Sequence, residues 1–263
     1  MNEGTIVKVG LATCGIAAGA KKVFQAFEEA LRGLPIKLDI AGCMGMCYKE
    51  PLVEVIASTV PSCIYGKVTP EDVPRIVEQH LRQGEIVQNL VVYGGGIQTN
   101  DSDFIDKQQR LLLKNCGLIN PESIESYIAV GGYQALAKAL TTMTPEAVIE
   151  EITASGLRGR GGGGFPTGSK WAMARKSPGR EKYVICNADE GDPGAFMDRS
   201  VLESSTHSVL EGMLLAGYAI GAQVGYVYIR AEYPLAIKRL RLAIAQAEAA
   251  GYLGEKILGS GFN

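Results

Sequence analysis

Four consecutive glycines, Gly161 to Gly164, sit inside the stretch GLRGRGGGGFPTGSKWAMARK, which runs from Gly156 to Lys176. No other feature constrains the fold as strongly. Residues without side chains bury nothing, and glycine loses more conformational entropy on ordering than any other residue. The run must therefore lie in a loop, and the chain on either side must supply the elements that hold it. The 263 residues, 46% of them hydrophobic, suffice for two domains with their own cores. Basic and acidic residues nearly balance, 26 against 28, so no basic field points to nucleic acid. The opening MNEGTIVKVG lacks the basic region and apolar run of a secretory signal. No apolar span reaches the roughly 18 residues of a membrane helix, which predicts no direct membrane insertion.

The hydrophobic pattern predicts an α/β chain. Thr5 to Leu11 alternates and is β-branched, as a strand requires, and Gly19 to Arg32 carries Val23, Phe24, Phe27, Ala30 and Leu31 at helical spacing. Ile36 to Ile40 reads as a short strand, and Leu52 to Ile56 with Cys63 to Val68 as a hairpin pair. Pro70 to Leu81 reads as a helix with Thr69 as its cap and Pro70 at its first position. This order, βαβ, ββ, α, describes a thioredoxin-like domain over residues 1–85. Residues 86–100, with YGGGIQTN, read as a linker, and residues 101–263 as a second, Rossmann-like α/β domain. There, 101–140 has helical tendency and Thr144-Pro145-Glu146 opens a helix to Thr153. A buried strand is expected at Tyr183 to Asn187, an apolar helix at His207 to Ile220, a strand at Gly225 to Arg230 and a helix at Pro234 to Ala249.

The glycine loop formally contains G-x-G-x-x-G at Gly159, Gly161 and Gly164. The dinucleotide fingerprint needs a strand before it, and here a helix precedes, while no Gly-Lys-Ser/Thr closes a P-loop. Ligand binding remains physically sound. Glycines let backbone N–H groups approach an anion, and the following helix start adds positive potential. Arg158, Arg160 and Lys170 surround the loop with cations, and Phe165 offers an aromatic face. A plain surface loop is the alternative for an isolated glycine run, but Pro166, Thr167-Gly168 and Trp171, the only tryptophan, impose shape here. A second polar stretch, Cys186-Asn187-Ala188-Asp189-Glu190-Gly191-Asp192-Pro193-Gly194, follows a predicted strand, where open α/β sheets collect ligands. Its acceptors suit ribityl or ribose hydroxyls; an ordinary Asp-Pro-Gly turn is the alternative.

Together, GLRGRGGGGFPTGSKW and YVICNADEGDPGAFMDR resemble the NADH-binding flavoprotein (51 kDa-type) subunit of complex I and of related NAD-dependent hydrogenases and formate dehydrogenases. The resemblance covers about residues 100 to 263. It implies FMN on Gly159, Arg160, Gly161, Gly162, Gly163, Lys170, Asn187, Asp189 and Glu190, with NAD(H) meeting Phe165, Lys170 and the neighbourhood of Asp192. It implies an NADH:acceptor oxidoreductase subunit that passes electrons from NADH through FMN to iron–sulfur partner subunits. The loop reads GRGGGGF where GRGGAGF is common, and the turn reads NADEGDPG where respiratory members often have NADESEPG, so the soluble hydrogenase and formate dehydrogenase branch is the nearer likeness. Family members continue into a segment that completes the flavin site and into a region holding a [4Fe-4S] cluster. This chain is expected to be an N-terminal portion of such a protein, in a cytoplasmic or peripheral assembly.

The first domain resembles the thioredoxin-like [2Fe-2S] ferredoxin associated with that flavoprotein, on Ala12-Thr13-Cys14-Gly15-Ile16-Ala17-Ala18-Gly19 and Cys43-Met44-Gly45-Met46-Cys47. A [2Fe-2S] cluster ordinarily takes four thiolates. Here Cys14 lacks its partner, with Ala18 and Gly19 in the expected place, and Cys14, Cys43 and Cys47 remain. Three outcomes stay open. The cluster is lost and the fold kept for docking; Cys63 or a non-cysteine ligand completes it; or Cys43 and Cys47 hold another metal such as zinc. A cofactor-poor docking subunit is accordingly the alternative function. Cys116 and Cys186 read as buried thiols, and His80 and His207 as structural residues.

Overall fold

In the computed structural model, residues 4–58, 60–179 and 181–263 are described, and the chain forms two compact units: residues 1–121 with 203–205, and residues 122–202 with 206–263.

The first unit is built on β1 (Ile6–Gly10), followed by α1 (Thr13–Ala17), α2 (Ala20–Ala30) and β2 (Lys37–Ala41), with β3 (Val53–Ile56) and β4 (Cys63–Tyr65) as the hairpin. From Pro70 the chain winds continuously as a 3-10 turn, α3 (Val73–Arg75) and a π-helix (Ile76–Gln83), entered through a Thr69–Asp72 capping box. The expected linker contains β5 (Val91–Gly94), which pairs with β4 and completes a sheet of order β2-β1-β3-β4-β5. β1 and β2 run parallel, as the βαβ reading requires, and the other pairs are antiparallel. One face of the sheet is mainly apolar: Val7, Val9, Val53, Val55, Cys63 and Tyr65 pack against Val23 and Phe27 of α2 and Val73 and Ile76. That is the period-two pattern of the strands meeting the 3.6-residue pattern of the helices. On the other face Lys8 pairs with Glu54 at 3.5 Å across the β1–β3 register, and its Nζ donates to the Leu118 carbonyl at 2.7 Å. The stretch after β5 thus lies on this face, with α4 (Ser102–Asp106) at its start.

The second unit begins with three helices, α5 (Ile124–Ala129), α6 (Gln134–Thr142) and α7 (Pro145–Ala154), the last capped by Thr144 as expected. The glycine loop leads into α8 (Thr167–Lys176), then β6 (Tyr183–Ala188), α9 (Met197–Ser204), α10 (Thr206–Ile220), β7 (Val224–Ile229) and α11 (Pro234–Ala249). β6 and β7 form a two-stranded parallel sheet. α10 is the hub, packing on α6, α7, α8, α11 and β6. Its Glu211 is buried, accepting from the Tyr127 hydroxyl at 2.5 Å and from the amides of Tyr133 and Leu136, so it seals the start of α6. Both histidines are buried in hydrogen-bonded sites, His80 beside the Tyr65 hydroxyl and His207 between the Tyr133 hydroxyl and Gln246. β6 was expected to be buried. Instead only Val184, Cys186 and Ala188 face inward, while Tyr183 and Ile185 are exposed, because one side of the pair is left uncovered. Among the described residues no helix is long and apolar enough to cross a membrane.

Candidate functional site

The glycine loop is closed at its neck like a short ribbon. The Gly159 amide donates to the Phe165 carbonyl at 2.8 Å, and the Thr167 amide donates to the Leu157 carbonyl at 2.9 Å. Beyond that neck Gly162 (φ 107°) and Gly164 (φ 59°) adopt left-handed backbone that side chains disfavour. Gly168, in the first turn of α8, is demanded by packing, since a Cβ there would stand 2.1 Å from Thr153 Oγ1 of α7. Gly161 and Gly163 are different. Neither has positive φ, and a Cβ on either would meet nothing within 4 Å. The chain's own structure gives no reason for glycine at those two positions. Around them Arg158, Arg160 and Lys170 are exposed, and Phe165 presents its ring with 51% of its surface open. The α8 N-terminus, capped only by Pro166, follows directly.

The acidic turn leaves the carboxyl end of β6. The Asn187 carbonyl oxygen of the side chain accepts the Asp189 amide at 3.1 Å, which folds the turn back on itself. Asn187, Asp189 and Asp192 are exposed. Glu190 is turned inward and buried. Its carboxylate accepts from the amides of Met197 at 2.5 Å, Asp198 at 3.1 Å and Arg199 at 3.3 Å, the open first turn of α9, and from the Tyr233 hydroxyl at 3.0 Å. Burial works against ionisation of Glu190, but these donors outweigh it and hold the carboxyl below its ordinary value. The Arg230 guanidinium donates to the Glu190 carbonyl. Among the described residues no hydrogen bond joins the loop to the turn. What they share is α10, on which both α8 and β6 pack.

Sequence reasoning did not single out Arg199, Arg230 or Tyr233. Arg230 and Tyr233 lie 40 and 43 residues from Glu190. The one available signal was that β7 ends immediately before Arg230, so the parallel pair places both loops at the same sheet end.

In the first unit the Cys43 and Cys47 sulfurs lie 3.7 Å apart, and Cys43 Sγ accepts the Gly45 amide at 3.3 Å. Cys14 reaches the same place, its thiol hydrogen-bonded to Cys47. A disulfide would need about 2.05 Å. Two thiolates on one tetrahedral metal, each at about 2.3 Å, sit about 3.8 Å apart. The pair therefore has the spacing of half a metal site. Burial pushes both thiols up. Within the same unit, Ser204 Oγ accepts the Cys43 amide at 2.9 Å, and the Glu203 carboxylate accepts the Thr13 amide at 2.8 Å, so residues 203–205 hold both cysteine loops. Cys63 is not a fourth ligand: it is buried in the sheet core beside His80, 3.9 Å from Nδ1. Cys116 is buried, as expected, and Cys186 partly so. Among the described residues no group of three or more His, Cys, Asp or Glu side chains is arranged to hold a metal ion. Cys14, Cys43 and Cys47 meet in the first unit, one thiol short of the four that a two-iron cluster ordinarily takes.

Comparison with known proteins bears out the resemblance carried by the loop and the turn. Residues 152–258 match the Nuo51 FMN-binding domain family. The chain is 61% identical over 157 residues to the NADP-reducing hydrogenase subunit HndC of Solidesulfovibrio fructosivorans, an alignment covering 60% of this chain and 32% of that protein. It is 52% identical over 153 residues to an NADH-quinone oxidoreductase subunit of Rhizobium meliloti (strain 1021), covering 58% of this chain and 36% of that protein. A solved thioredoxin-like [2Fe-2S] ferredoxin from Aquifex aeolicus is 33% identical, with a TM-score of 0.32, covering 35% of this chain and 99% of that one. The matched stretch is about a third of the length of the curated relatives.

Proposed function

We propose that the second unit is the FMN-binding, NADH-reading part of an NADH:acceptor oxidoreductase subunit, working in a complex I-like or NAD(P)-linked hydrogenase assembly. The observation that carries this is Gly161. It is a glycine without positive φ and without a neighbour that a Cβ would strike, inside a stretch matching an FMN-binding family. An external group that must approach the backbone closely accounts for it, whereas Gly163 stands where the common form of the loop has alanine. Bound FMN would supply hydride acceptance and one-electron release, chemistry that belongs to the cofactor.

The chain's own residues bind and orient. Amides of Arg160 to Gly163 and the start of α8 suit a phosphate, and the Arg160 and Lys170 side chains offset its charge. Asn187 accepts from or donates to hydroxyls, and Asp189 accepts from them. Phe165 offers a stacking face, and Asp192 lies on the exposed side where the nicotinamide nucleotide would enter. Glu190 serves this site through its own turn, since all its carboxylate contacts are internal. The expected iron–sulfur partners and a cytoplasmic, peripheral place in a larger complex fit a chain whose described helices cannot span a membrane. For the first unit, which holds Cys14, Cys43 and Cys47 together, the docking role is the alternative reading. Titration of this chain with FMN tests the proposal. Saturable one-to-one quenching of flavin fluorescence is expected. Absence of binding both here and in a longer form bearing the same residues would overturn it.

A further inference from the structure

Glu190 is clamped from both its side chain and its main chain. The residue lies between Asp189 and Asp192, so a displacement of its backbone carries both exposed carboxylates along. It is gripped from two directions. Oε1 takes the Met197 and Asp198 amides, and Oε2 takes the Arg199 amide and the Tyr233 hydroxyl. The main-chain carbonyl takes the Arg230 guanidinium. Tyr233 is itself buried, its ring packed with Ala188, Leu202 and Ala236. Ala188 is in register with Ile229, so Arg230 stands one residue beyond one strand end and Asp189 one beyond the other. The turn also carries strain, since Phe196 adopts φ 53°, and its ring is covered by the Arg199 guanidinium at 3.7 Å. A single-strand turn of exposed acidic residues would otherwise be mobile; this one is tied to the start of α9 and to the β7–α11 connection.

We propose that Tyr233 and Arg230 are positioning residues, which fix the acidic turn through Glu190 so that Asn187 and Asp189 are presented in one orientation to a polyhydroxylated ligand. The inference rests on the flavin reading for the identity of that ligand, but the clamp itself does not. Neither side chain need touch the ligand. Tyr233 stops rotation of the Glu190 side chain, and Arg230 fixes the peptide plane behind it. A displaced turn loses orientation, which is costly even for small shifts.

The test uses Tyr233→Phe, which deletes one hydroxyl from a packed ring, and Arg230→Gln, with Arg230→Lys as the conservative variant. Binding of FMN and of riboflavin is measured by fluorescence quenching, and amide hydrogen exchange of residues 189–199 is followed without ligand. Loss of a hydrogen bond to a charged group predicts affinity about tenfold weaker for Tyr233→Phe. The loss should be equal for FMN and riboflavin, because the turn meets hydroxyls and not the phosphate. Exchange at Met197 to Arg199 should quicken, and Arg230→Lys should recover most of the Arg230→Gln loss. Wild-type affinity in both Tyr233→Phe and Arg230→Gln would overturn the proposal. So would a loss confined to FMN, which would mean general loosening of the glycine loop. Should neither the unaltered chain nor a longer form bearing the same residues bind a flavin, the flavin reading fails. The clamp is then judged by exchange alone, and unchanged exchange in Tyr233→Phe rejects it.

Discussion

The two sheets of this protein obey different rules. The five-stranded sheet of the first unit hides one face in a complete apolar core and occupies the other with paired charges and the covering stretch after β5. The two-stranded parallel sheet of the second unit hides one face on α10 and α11 residues and leaves the other open. Tyr183, Ile185, Val224, Tyr226 and Tyr228 form that outer face, with Ile185 66% and Tyr228 65% exposed. Parallel sheets are ordinarily covered on both faces. The comparison teaches that the same strand-forming residues carry different energetic weight according to what lies over them. β-branched and aromatic content specifies a strand, but only burial makes the strand expensive to alter.

Substitutions can break or sharpen that contrast. The largest effect is expected in the first core. Phe27, fully buried on α2 against the sheet, should cost about 3–5 kcal/mol as Phe27→Ala, read by denaturant unfolding. A smaller, pH-dependent effect is expected at Glu50, just before β3. Burial pushes its carboxyl up to about 7 from 4.5, opposed only by the Leu52 amide. The folded chain therefore holds this proton more tightly than the unfolded chain. Its stabilisation is fully present below about pH 4.5 and is lost as pH rises through about 7. Glu50→Gln should abolish that decline and exceed the unaltered chain near pH 8 by up to about 3 kcal/mol. A variant with the same pH slope would show that the carboxyl is hydrated.

In the second unit, Gly168→Ala should cost about 1–3 kcal/mol, because the new methyl meets Thr153 where α7 and α8 touch. Gly161→Ala, by contrast, should leave the unfolding midpoint unchanged while weakening FMN. The smallest effect belongs to the open sheet face. Tyr226→Ser should stay within about 0.5 kcal/mol, as exposed substitutions do. A loss of several kcal/mol there would mean that the face is covered in solution, and the contrast between the sheets would fail.

Much of this was legible in the sequence. The alternation of β1, the helical spacing of α2, the Thr69 and Thr144 caps and the span of α11 all carry local signals, and each element formed within a residue or two of its expected limits. β5 was not legible, because Val91 to Gly94 merges into Gly95 and Gly96 and becomes a strand only by pairing with β4. Nor was α9: its polar run MDRSVLES is short, and its start is stabilised by a residue outside the helix, Glu190. At the candidate site the loop and the turn stood out by composition. The role of Glu190 did not, since a carboxylate in a polar turn reads the same whether it faces a ligand or caps a helix.

The sequence alone thus determined β1, α2, α7 and α11 among the strands and helices, that the glycine run lies outside any core, and which two stretches carry the flavoprotein resemblance. These follow from periodicity, capping and local backbone preference, which act over a few residues. Tertiary structure decided which glycines the fold itself requires, which acidic residue turns inward, why Cys63 cannot join Cys14, Cys43 and Cys47, and which sheet face stays open. Those outcomes depend on contacts between residues dozens of positions apart, and burial and hydrogen bonding assign their partners only once the chain has closed on itself.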